Sequence, residues 1–323
     1  MFHTTGRALR LLTLAVGAFV GSGGAAASQS EIAGCGTQFF DSAWSHESFV
    51  GVAAGLNHGF ALRSNGTLVA WGDNLESECL VPALPPGLAY VEVAGGRGFS
   101  LGRRSDGSVV AWGVNYFGQC DVPPLPIGIT YVQVAAGGTS APPECGHSVA
   151  LRSDGSVVAW GSNASGQCNV PALPPGMTYT EISAGGRHTI ARRSDGSVVA
   201  WGSNTSGQCN VPALPVGLTC VEVAAGIGHS VARLSDGSVV GWGENSWSQC
   251  NAPALPPGLT YNAIAAGGAH TIACRSDGTA VAWGNNTLGQ CNVPALPGGL
   301  GYVEVAAGAG HTVARRTDGS VLV

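Results

Sequence analysis

The chain contains no lysine: its 14 basic residues are all arginine, set against 19 acidic ones, for a formal net charge of −5 over 323 residues. Only 10% of the residues are charged, and the arginines are spread along the chain instead of gathered in a run. A basic stripe able to track a phosphate backbone is therefore missing, and nucleic acid is not an expected partner. Long apolar runs are equally scarce. The longest, residues 11–20, is too short to cross a bilayer as a helix, so no membrane span is expected. Also missing are D-x-D-x-D-G, H-E-x-x-H, G-x-x-x-x-G-K and C-x-x-C. Their absence removes the calcium, zinc and nucleotide sites that sequence reveals most readily.

Glycine and proline are abundant, with 51 and 18 residues, in a chain that is 45% hydrophobic. That balance describes an all-β protein dense in turns. The first 27 residues differ from the rest. Arg7 and Arg10 precede the apolar run, and Ala25-Ala26-Ala27 offers a small-residue cleavage site, the pattern of a signal peptide. An uncleaved N-terminal anchor is the rival reading. The expected location is secreted, periplasmic or on the cell surface.

From residue 49 onward one phrase recurs seven times. Its turn residue is Asn65, Asp106, Asp154, Asp195, Asp236, Asp277 and Asp318, each followed by Gly, at steps of 41, 48, 41, 41, 41 and 41 residues. In residues 179–220, TYTEISAGG reads as a strand and HTIARRSDGSVVAWG as a hairpin about Asp195-Gly196. GSNTSGQ reads as a polar loop, CNV as a short fourth strand, and PALPVG as a proline-fixed return. The Val-Val-Ala-Trp run is expected to be a central strand buried on both faces. Four short strands repeating every forty or so residues predict propeller blades.

The phrase Gly-x-x-His…Asp-Gly-Ser-Val-x-Ala-Trp-Gly-x-Asn-x-x-Gly-Gln resembles the repeat of the regulator of chromosome condensation family. The version continuing as Gln-Cys-Asn-Val-Pro-x-Leu-Pro is similar to the bacterial branch that includes β-lactamase inhibitor protein II. The resemblance covers roughly residues 49–323. It implies an all-β, seven-bladed β-propeller serving as a protein-binding platform, with no single activity attached. The expected organisation is a signal peptide at 1–27, an N-terminal segment at 28–48, and a propeller at 49–323 whose third repeat carries a seven-residue insertion near 139–145.

Ring closure is irregular. Seven copies of the first three strands are present but only six of the portion from Trp-Gly through the fourth strand, because Val323 aligns with Ala159 and Ala200. Either the seventh blade is incomplete, as in a fragment, or residues 35–48 close it.

Residues present in nearly every copy are attributed to architecture. His58, His147, His188, His229, His270 and His311 share one repeat position, filled by Phe99 in the second copy. Phe lacks both ring nitrogens, so a buried imidazole bonded to neighbouring backbone is expected and a metal site is not. The Asp of Asp-Gly is expected to accept backbone N–H groups in its turn. Cys79, Cys120, Cys168, Cys209, Cys250 and Cys291 occupy one position on different blades, too far apart to bridge, and are expected to be small buried hydrophobes. Cys35, Cys145, Cys220 and Cys274 break the pattern, which leaves Cys220–Cys274 and Cys35–Cys145 as alternative bridges.

Function is left to the places where the copies disagree. Two positions after Trp-Gly-x-Asn vary freely: Leu75-Glu76, Tyr116-Phe117, Ala164-Ser165, Thr205-Ser206, Ser246-Trp247 and Thr287-Leu288. All belong to one loop class and should line one face. Tyr116, Phe117, Trp247, Leu75, Glu76 and Leu288 are the candidate binding residues, with no catalytic residue, cofactor or metal expected. The insertion belongs to the other turn, between Gly137 and His147. The expected function is a monomeric, exported, non-enzymatic propeller that binds another protein, with inhibition of a secreted hydrolase as one version. The alternatives are an enzyme or carbohydrate-binding propeller using the central channel, or a fragment of a larger surface repeat array.

Overall fold

The computed structural model describes residue 44, residues 47–140 and residues 145–323. The expected leader and most of the segment 28–48 lie outside them, as does Cys35. The described chain forms seven three-stranded antiparallel sheets, at residues 49–72, 90–113, 131–161, 179–202, 220–243, 261–284 and 302–322. No helix among the described residues is long and apolar enough to cross a membrane.

The fourth sheet represents the others. Its first strand, Tyr179–Ala184, pairs with the middle strand His188–Arg193, which pairs with the outer strand Val198–Gly202. The Asp-Gly turn forms as expected: Ser197 N donates to Asp195 Oδ1 at 2.9 Å, and Gly196 takes a φ of 81° that favours glycine. Two expectations are corrected. The Val-Val-Ala-Trp run is the outer strand, hydrogen-bonded on one side only, and the most deeply buried strand is the middle one. The Cys-Asn-Val segment is not a fourth strand. Asn163 Oδ1 accepts from Cys168 N at 2.9 Å and Val170 N bonds back to Cys168 O at 3.0 Å, so those amides are spent locally. Pro171 then has no N–H to offer a ladder. In five copies a tyrosine hydroxyl pins that segment, as Tyr179 does by donating to Pro171 O at 2.7 Å.

Sheets pack face to face around a ring. Ala135, Val149 and Leu151 of the third sheet share a core with Tyr179, Ile182, Ala191 and Trp201 of the fourth. A backbone bond accompanies each such interface: Tyr179 N donates to Gly155 O at 2.9 Å, with equivalents from Tyr90, Tyr131, Cys220, Tyr261 and Tyr302. The same bond closes the ring, since Phe49 N donates to Gly319 O at 2.9 Å. Phe49, Val52 and Trp71 there share a core with Val313, Val321 and Val323, and Trp44 packs against it. The seventh sheet is thus complete in strand number, although its outer strand is only Val321–Leu322.

Candidate functional site

The histidine position explains much of the repeat. His188 Nε2 lies 2.9 Å from Ser230 Oγ in the next sheet, and that hydroxyl lies 3.0 Å from Gln208 O. A carbonyl can only accept, so the hydroxyl proton goes to Gln208 and the imidazole must donate through Nε2–H. The indole Nε1 of Trp242 donates to the same carbonyl at 2.9 Å. His58, His147, His229 and His270 meet Ser100, Thr189, Thr271 and Thr312 in the same way at 3.0 Å. The expected backbone partner is therefore corrected to a hydroxyl of the following repeat. His311 is the exception: the equivalent position in the first repeat is Gly59, which has no hydroxyl, and the imidazole bonds to the His58 backbone. Burial pushes these imidazoles well below their ordinary value, His188 to about 3 and His147 to about 4. Each also rests on a glycine of its own sheet. A Cβ on Gly185 would lie 2.3 Å from His188 Cε1 and 2.4 Å from Gly226 O, so no side chain fits there.

The cysteines are half-buried, and their thiols bond to backbone. Cys168 Sγ donates to Ser162 O at 3.2 Å, and burial pushes its thiol up to about 11. Cys220 and Cys274 are buried in different core clusters and do not bridge each other. Among the described residues no group of His, Cys, Asp or Glu is placed to hold a metal ion.

What these bonds hold in place is a set of loops. Each loop follows an outer strand and is tied first to the turn between the other two strands, as Ser203 N donates to Arg187 O at 2.8 Å. The conserved-phase Gln and Asn then clamp its tip. Gln119 Oε1 accepts from Phe117 N at 2.9 Å, and Asn115 Oδ1 accepts from Cys120 N at 2.7 Å. Gln249 does the same for Trp247 N, Gln290 for Leu288 N, and Glu78 for Glu76 N, each at 2.9 Å. The backbone of each variable position is thereby fixed while its side chain stays outside. Leu75 is 89% exposed, Tyr116 77%, Phe117 47%, Trp247 50% and Leu288 52%, and Glu76 is exposed as well. None of these rings is tucked into its own blade. Leu288 reaches over the seventh sheet, where a Cβ on Gly310 would meet its Cδ1 at 2.6 Å.

The strands that flank the insertion end beside this face. In the third sheet the first and middle strands lengthen to Tyr131–Thr139 and Cys145–Arg152, paired out to Thr139 and Cys145. These strand ends lie at the same end of the sheet as the variable loops, and Gly146 packs beside Gln119, whose side chain clamps Phe117. Sequence reasoning separated the two turns, and the strand pairing brings them together.

The molecule is thus a seven-bladed propeller presenting clamped loops at one end. A family model described as the regulator of chromosome condensation (RCC1) repeat matches residues 49–77, 90–119, 146–167, 179–208, 220–249 and 262–290. These matches span just over half of the chain, and the chain belongs to that family. No curated protein sequence matches it. Among solved structures, Prp20p from Saccharomyces cerevisiae is similar at 21% identity and a TM-score of 0.69, covering 82% of each chain. Human WBSCR16 is similar at 19% identity and a TM-score of 0.67, over 83% of this chain and 87% of that one. The ectodomain of the Arabidopsis thaliana receptor kinase ACR4 is similar at 25% identity and a TM-score of 0.61, over 84% and 92%.

Proposed function

We propose that the chain is an exported, non-enzymatic propeller that binds another protein through its loop-lined face. The observation that carries this reading is the pairing of fixed backbone with exposed apolar side chains at Leu75, Tyr116, Phe117, Trp247 and Leu288. Large side chains on a backbone that needs no further ordering can bind without a heavy entropic cost. The family context agrees: Prp20p is described by its binding properties to Gsp1p and histones, and it also occurs bound to Kap60. The recurring imidazoles, neutral and sealed between sheets, are engaged in holding the ring together and are poor candidates for general bases.

Export is the reading of the first 27 residues, and an ectodomain among the similar structures is compatible with it. Inhibition of a secreted hydrolase is the narrower version, resting on resemblance to the bacterial branch. The test is affinity capture from the culture medium of the source, using the mature chain and a Tyr116→Ala plus Trp247→Ala variant. A stoichiometric partner retained by the first and lost by the second is the expected result. Undiminished capture by the double variant would remove this face from consideration.

A further inference from the structure

The six loops are not equivalent, and their differences are ordered around the ring. Loops following the third and fourth sheets carry Ala164-Ser165 and Thr205-Ser206 at their tips. Loops following the fifth, sixth, first and second carry Trp247, Leu288, Leu75 and Tyr116-Phe117. Because the seventh sheet closes on the first, those four loops are successive around the disc, arranged on either side of the closing interface.

The same arc concentrates departures that the scaffold does not want. Four loops place Gly118, Gly166, Gly207 and Gly289 at a left-handed position, with φ between 76° and 83°. The first and fifth hold Ser77 at 67° and Ser248 at 63°, a conformation that disfavours any Cβ. Five loops close with an amide donating to a side-chain oxygen, as Asn204 Nδ2 does to Asn210 Oδ1 at 2.8 Å. The first loop puts Leu80 at that place, giving up the bond for an apolar side chain 62% exposed to water. Strain and lost bonds retained at exposed positions mark surfaces kept for something other than folding.

Charge separates the two halves as well. The apolar loops present Asp73, Glu76, Asp121 and Glu244, with Glu78 buried beneath them, and contain no basic residue, while the loops at 162–169 and 203–210 contain no charged residue. Arg97, in the turn of the second sheet where Gly98 packs beside Glu76, is a basic group within the arc.

Resting on the loop-face reading above, we propose that docking is confined to this crescent, and that its occupant is a protein segment carrying Lys or Arg beside large apolar anchors. The apolar tips supply the burial, and the acidic rim selects and steers a cationic partner. The neutral polar loops opposite lie outside the footprint.

The probe is a displayed library of short random peptides, panned on the immobilised full chain without a presumed ligand. Enriched peptides combining Lys or Arg with aromatic or aliphatic residues are expected. Their affinity should weaken roughly tenfold or more in Leu80→Asn plus Trp247→Ser, which restores residue types found in the other loops, and should persist in Thr205→Asp. Affinity should also fall as salt is raised. Leu80→Asn keeps the fold by design, so its loss of binding does not report unfolding. Crescent-dependent peptides lacking basic residues would overturn this proposal and leave the loop face standing. Peptides insensitive to every loop variant would overturn both, and equal loss on Thr205→Asp would overturn the crescent.

Discussion

His188 donates its Nε2–H to Ser230 Oγ at 2.9 Å across the interface between the fourth and fifth sheets. Nδ1 faces a glycine and has no acceptor for a second proton, so burial keeps the imidazole neutral.

Acid should therefore open the ring steeply. His58, His188 and His270 are pushed down to about 3, and His147, His229 and His311 to about 4, all by burial first. The unfolded chain takes up these protons below its ordinary value near 6.5, before the folded chain does. The stability they lend is present above pH 6.5 and drains as pH falls from there through about 4 and 3. Each contributes a slope approaching about 1.4 kcal/mol per pH unit. Urea unfolding at stepped pH should show this slope, and His188→Phe, the residue type of Phe99, should reduce it.

Removing the hydroxyl isolates its contribution. Thr189→Ala and Ser230→Ala each leave a buried imidazole N–H without its acceptor, at a cost of about 1–3 kcal/mol. Denaturation midpoints at neutral pH measure it. Gly59, already without a hydroxyl, cannot simply be repaired. A Cβ there would lie 2.5 Å from the Trp71 ring, so Gly59→Ser should destabilise instead of strengthening the closing interface.

Glu181 runs the other way with pH. Burial, then the neighbouring Glu222 carboxylate, raises it to about 7 against the pull of Arg192. The stability linked to its proton is full below the unfolded value near 4.5 and is lost as pH rises through about 7. Glu181→Gln should therefore gain stability at pH 8 relative to the parent and flatten that part of the profile. Gln133 shows that the amide fits the equivalent place, bonding Ile182 N at 2.9 Å and Ile182 O at 3.1 Å.

The crescent's departures should be reversible in stability. Ser77→Gly and Ser248→Gly relieve a left-handed Cβ, and Leu80→Asn restores a side-chain bond to Asn74. Each should raise stability by about 0.5–1.5 kcal/mol, read as a higher melting temperature.

Much of this was legible in the chain because the repeat does the sorting. The Asp-Gly turns, the blade count and the exposed loop pairs follow from phase alone. The fourth strand misled because Cys-Asn-Val looks apolar and extended, while the amides that would ladder are taken by Asn163 and its equivalents. The histidine partner was hidden for a different reason: Ser230 lies 42 residues from His188, and only the ring brings them together. Leu80 and Ser77 were visible as letters, but their meaning needed the bond pattern and backbone angles of the other copies.

Hydrogen–deuterium exchange on the chain with its captured partner tests the central claim most directly. Slowed exchange at residues 74–80, 115–119, 245–249 and 286–290, with 163–167 and 204–208 unchanged, is the predicted result. Protection confined to the Pro-Gly turns at the opposite end, such as residues 85–88 and 215–218, would contradict it.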